Sequence, residues 1–228
     1  MKDFLYIIFE LLLSAPTVLI ALSFHECAHA FVADKLGDHT AKYMGRLTLN
    51  PLKHFDPFGA LCMLLCGFGW ARAVPVNMMN FRKPKRDMAF TALAGPATNL
   101  ILGFTGCFLY SLSGFLIPPL EYNSVIYWIA FVWLMFLYYF AYLNIFLAIF
   151  NLIPAPPFDG SRILGAFLKD RHYIKLLSYE RYIGLAFFAI YFIDARLDGP
   201  ISTAVTFVVN GCFNGFNSLF YLLFNLFV

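Results

Sequence analysis

Residues 4–33 read FLYIIFELLLSAPTVLIALSFHECAHAFVA, and up to His25 the only charged residue among them is Glu10. About 20 predominantly apolar residues suffice to cross a bilayer, so this stretch is long enough to span and places an ionisable cluster near its end. The rest of the chain agrees with a life in lipid. Of its 228 residues 61% are hydrophobic and 13% charged, against about 45–50% and about 25% in soluble domains. Met88–Leu116, Val125–Ile153 and Ile201–Val228 are further long apolar stretches, while Ile183–Ile193 is short for a crossing. Lys2 and Asp3 do not make the basic start of a cleavable leader, so the first span is expected to be retained. The five cysteines are odd in number and sit in or beside apolar segments, which is no disulfide framework.

Charge placement orients these spans. Nine Lys and Arg lie between Lys35 and Arg86 and five between Arg162 and Arg181, whereas the connection 117–124 carries only Glu121. Two spans separate the basic stretches, so both fall on one side, which the positive-inside rule makes cytoplasmic. A short fourth span and a longer fifth fit after Arg181, returning the C-terminus to that side. Phe58–Trp70 is apolar, glycine-containing and too short to cross, and Ala71–Asn77 alternates as an extended strand would. A short re-entrant β-hairpin packed beside a polar site is expected there, because irregular backbone survives at membrane depth only against protein or a water-filled cavity. The predicted fold is an all-α polytopic membrane protein: a three-helix core with that hairpin and additional C-terminal spans. It forms one domain over 1–228, with a core over about 4–164 and C-terminal spans over about 182–228. The net charge of +3 gives no reason to expect nucleic acid; lipid is the implied surrounding.

His25-Glu-Cys-Ala-His29 is an H-E-x-x-H motif. Positions i and i+4 of a helix share a face, so both imidazoles can reach one ion while Glu26 acts on water beside it. Two His and a carboxylate suit zinc or a neighbouring divalent ion with a position left open, and such an ion lowers the pKa of water towards about 7. The chain's five His and four Glu make roughly 0.002 chance matches, and ionisable groups within spans are usually functional. A pair of core histidines is therefore the weaker reading.

Two histidines leave a zinc site incomplete. Asp159 follows the proline-rich run Asn151-Leu-Ile-Pro-Ala-Pro-Pro-Phe158 just after the third span. The first span reaches the basic side just past His29 and the third reaches it just before Asp159, so both arrive at similar depth. Alone, Asp159-Gly160 would read as a turn; at matching depth it reads as the third ligand. His54 and Asp56 read as closing a turn, and His39 and His172 as solvated loop residues.

With these residues in place the chain resembles the site-2 protease family of intramembrane metalloproteases, in its compact form without PDZ or CBS domains. The resemblance runs through FHECAHA (24–30), HFDPFG (54–59), GWARAVPVN (69–77), AGPATN (94–99) and NLIPAPPFDG (151–160). It implies one zinc ion on His25, His29 and Asp159, with Glu26 activating water. It further implies that Asn151 steadies the oxyanion or the substrate backbone, and it singles out Asn99 as either a substrate contact or an interhelical hydrogen bond. The expected activity is hydrolysis of a peptide bond in or beside a transmembrane segment of another protein, from the cytoplasmic side of a prokaryotic cell membrane. A catalytically silent membrane adaptor of the same fold, or a small proton or metal transporter, are the alternatives; the second would show inverted repeats.

Overall fold

The computed structural model describes residues 2–57, 59, 71–122 and 124–226. Among them the helices are α1 (Lys2–Leu36), α2 (Thr40–Tyr43), α3 (Pro51–His54), α4 (Pro84–Leu116), α5 (Val125–Asn151), α6 (Asp159–Phe167), α7 (Asp170–Ser178), α8 (Glu180–Arg196) and α9 (Pro200–Asn225), with a 3-10 turn at Met78–Asn80. Four of these, α1, α4, α5 and α9, are long and apolar enough to cross a membrane. The first three pack on one another, and α9 packs on α4 and α5.

A row of small residues on α4 sets how closely the helices approach. Gly95, Gly103, Gly106 and Cys107 are buried with Asn99 on that helix. A Cβ on Gly103 would stand 2.6 Å from the Ile145 side chain, and one on Gly106 would stand 2.9 Å from the Ala141 Cα. Between helices in lipid, close backbone approach is itself the source of cohesion, so these positions hold α5 against α4.

α1 ends where the sequence supplies a stop. Gly37 takes φ +109°, its N–H bonds to the Asp34 carbonyl and that of Asp38 to the Ala33 carbonyl, the paired bonds of a Schellman cap. The Asp38 side chain, fully buried, then collects the Asn77 N–H and the Asn80 amide, both at 2.7 Å, and the Thr40 hydroxyl. Burial acts to raise this carboxyl, but those hydrogen bonds outweigh it and hold it below the usual carboxylate range.

Segment 71–77 carries no regular secondary structure, and no strand occurs among the described residues. The expected β-hairpin is corrected to that extent; Phe58 and residues 60–70, where its turn would fall, lie outside the described residues. The reason is where the backbone groups go. Arg72 N–H bonds to the His54 carbonyl, Val74 N–H to Glu26 and Asn77 N–H to Asp38. The Arg72 and Ala73 carbonyls both accept from Arg46. Side chains and a loop carbonyl occupy positions that a partner strand would need. His54, buried and bonded through Nε2 to the Thr48 carbonyl at 2.8 Å, closes its loop as expected, and Asp56 accepts from the Gly59 N–H.

The C-terminal part differs from the expected five crossings. Phe104 meets Phe216 and Phe115 meets Phe224, with ring centroids 5.1 and 5.6 Å apart. α9 therefore runs parallel to α4 and ends far from Asp159. α8 does not cross before it: Glu180 pairs with Arg162 of α6 at 2.6 Å, Gly184 lies against Pro157, and Asp194 accepts from the Ser202 N–H at the start of α9. Its 17 residues extend only about 25 Å, short of the roughly 30 Å of hydrocarbon. With charges at both ends, α8 stays at the Asp159 end of the bundle.

Candidate metal centre

His25, Glu26 and His29 sit in the last third of α1, all less than a tenth exposed. Asp159 opens α6, which docks on α4. The turn before it bends back so tightly that a Cβ on Gly160 would collide with the Leu152 and Ile153 carbonyls. Gly160 is thus required for close approach within a helix start; the Asp-Gly pair is not a turn.

Three atoms converge here. Asp159 Oδ2 lies 3.0 Å from His25 Nε2 and 3.3 Å from His29 Nε2, and the two Nε2 atoms are 3.0 Å apart. On the other side of each ring, His25 Nδ1 meets Asn99 Oδ1 at 2.5 Å and His29 Nδ1 meets the Thr91 carbonyl at 2.7 Å. Both partners are acceptors, so each Nδ1 carries the proton and each Nε2 keeps its lone pair. Two lone pairs and a carboxylate oxygen that is buried without a hydrogen-bond partner then point at one another. That arrangement is repulsive until a cation stands among them, and the donor set suits zinc. Among the described residues this is the group of His, Cys, Asp and Glu side chains that could hold an ion.

The support behind the rings runs through two more helices. Asn99, fully buried, donates its amide to Asn144 Oδ1 of α5 at 2.8 Å and to the Ala21 carbonyl at 3.2 Å. Asn144 in turn donates to the Phe140 carbonyl. Asn99 is thus committed to His25 and its neighbours. Asn144 is part of the site that sequence reasoning passed over, although an amide in an uncharged span is itself a signal. Carboxylate, carbonyl and amide partners behind ligating histidines typically matter about 10–100-fold in metal affinity. Asn99→Ala is accordingly expected to weaken zinc binding by about that factor, read by competition with a chelating dye. Undiminished affinity would assign Asn99 to packing alone.

Glu26 points differently. One of its oxygens accepts the Val74 N–H at 2.7 Å, tying α1 to segment 71–77. Asn151 closes α5 and donates its amide to the Leu147 carbonyl at 2.9 Å, a bond within its own helix. Gly95 completes the site: a Cβ there would stand 2.5 Å from His29 Nε2 and 2.6 Å from His25 Cε1 and Nε2.

A family model described as peptidase family M50 matches residues 14–193. "Putative zinc metalloprotease YwhC" of Bacillus subtilis is 40% identical over 184 residues, covering 77% of this chain and 78% of that protein. "Putative zinc metalloprotease Rip2" of Mycolicibacterium smegmatis is 33% identical over 147 residues, 62% of this chain and 52% of that protein, so the match spans about half its length. "Putative zinc metalloprotease MJ0611" of Methanocaldococcus jannaschii is 29% identical over 144 residues, 62% of this chain and 63% of that protein. No solved structure matches the chain.

Proposed function

Because the chain belongs to peptidase family M50, we propose that it is a zinc-dependent endopeptidase that cleaves a membrane protein in or beside a transmembrane segment. One observation carries the reading: His25 Nε2, His29 Nε2 and Asp159 Oδ2 converge while both Nδ1 atoms are held by acceptors. These three atoms would hold one zinc ion. When bound, the ion would polarise a peptide carbonyl and make water a competent nucleophile near neutral pH.

The chain's own residues supply the rest. The Glu26 oxygen not engaged by Val74 is the base: it takes the proton as the water oxygen adds to the carbonyl carbon, and returns it to the nitrogen as the C–N bond breaks. Asn99 and the Thr91 carbonyl keep both imidazoles in the tautomer that faces the ion. Asn151 steadies the negative oxygen once its amide leaves the Leu147 carbonyl. A substrate helix must unwind to present its carbonyl, because a helical backbone keeps that oxygen in its own hydrogen bond.

The positive-inside rule orients the site. With α8 held at the Asp159 end, every Lys and Arg except Lys2 lies towards that end of the bundle or in its loops. The site therefore faces the cytoplasm. Asp159→Asn tests the reading: zinc is expected to fall well below one per chain, and membrane-protein fragments seen in cells with the wild type are expected to disappear. Full zinc content together with unchanged fragments would sink it.

A further inference from the structure

A second polar site lies beside segment 71–77. Arg46, Lys53 and Arg72 line a cavity of about 480 Å3 with Met44, Leu52, Ala73 and Pro75. Among the described residues three cations line it and no carboxylate does. Arg46 is only 7% exposed; its Nη2 serves the Arg72 and Ala73 carbonyls, while its Nε is buried without a partner. Glu26 attracts the guanidinium, but the two form no ion pair among the described residues. A buried cation of this kind is unfavourable unless an anion faces it.

The rim says which anion. Met44 and Leu52 are 62% and 78% exposed, and neighbouring Tyr43 is 82% exposed. They belong to the short stretch just after α1, where the first span leaves the hydrocarbon. Cations grouped with bare apolar side chains at that depth match a phosphate with acyl chains attached. An acidic peptide would use the cations and leave the apolar rim unexplained. We propose that this cavity binds the headgroup of an anionic phospholipid, its phosphate completing Arg46 between Lys53 and Arg72. The lipid would steady the carbonyls of residues 72 and 73, one residue from the Val74 N–H that Glu26 holds.

This inference rests on the chain spanning a membrane and not on proteolysis, and its test needs no substrate. The full chain is purified from vesicles of phosphatidylcholine mixed with phosphatidylglycerol, and retained lipid is counted by native mass spectrometry. The wild type is expected to keep phosphatidylglycerol in preference to phosphatidylcholine. Lys53→Gln with Arg72→Gln, both exposed positions, is expected to lose that preference by about fivefold per charge removed, and Arg72→Lys to keep it. As a control, Arg171→Gln with Lys175→Gln on α7, also exposed, is expected to change nothing. Equal retention of both lipids by the wild type overturns the proposal. So does an equal loss in the α7 pair, which would mean diffuse attraction. Displacement of the lipid by equimolar inorganic phosphate or an acidic peptide would assign the cavity to that ligand instead.

Discussion

Glu26→Gln is expected to keep one zinc ion per chain and to lower cleavage of a membrane substrate by about 10²–10⁴-fold, the usual worth of a positioned acid–base group. The structure gives Glu26 one duty, the tether, and the proposed function gives it a second; this substitution separates them. As a tether it accepts the Val74 N–H, and a glutamine carbonyl oxygen accepts the same bond in the same place. As a base it must take a proton, which the amide does not do at neutral pH. If tethering were its whole contribution, the variant would cleave normally while Glu26→Ala failed. A variant empty of zinc would instead place Glu26 in the metal set, contrary to the three-atom convergence described above. Single-turnover cleavage alongside elemental analysis reads both quantities from one preparation.

Gly95→Ala is expected to be as damaging, though it removes nothing chemical. The added methyl would sit 2.5–2.6 Å from His29 Nε2 and from His25 Cε1 and Nε2, so either a histidine rotates or α4 backs away. Misplacement by about 1 Å costs on the order of a hundredfold in rate, and loss of zinc would cost more. Gly114→Ala, on the same helix with nothing within 4 Å of its Cβ, is the matched control. There the methyl should be harmless or stabilise by about 1 kcal/mol, since alanine favours helix over glycine. Zinc content and thermal unfolding of the two variants in detergent make the comparison. Equal zinc in both would remove Gly95 from the site.

What was legible in the sequence follows the range of the signals. His25 and His29 belong to one helical face, a local regularity, and the structure brings their Nε2 atoms together with Asp159 Oδ2. The three core spans were legible from their apolar lengths. Segment 71–77 looked like a strand because alternation records which side chains are buried, not what the backbone bonds to; Asp38, Glu26 and Arg46 claim those bonds. α8 looked like a crossing because hydropathy is blind to the contacts of Glu180 and Asp194 that hold both its ends at one level. Asn99 was visible as a polar residue in a span, yet its two candidate roles differed only in what stood opposite. That was His25 on one side and Asn144 on the other, neither adjacent in sequence.

The Asn144–Asn99–His25 chain also bears on how the molecule assembles. Sliding any one of α1, α4 and α5 by a turn, about 5.4 Å, would strand these amides and the His25 Nδ1 proton in hydrocarbon. Each unsatisfied group there costs several kcal/mol, more than displaced apolar contacts recover, because lipid tails offer nearly equivalent contacts. The three helices are thus locked in register by hydrogen bonds that need no ion. Zinc capture becomes the last event of assembly, into a bundle already aligned. A chelator should empty the protein without unfolding it, the reverse of small zinc domains in which the ion is the core.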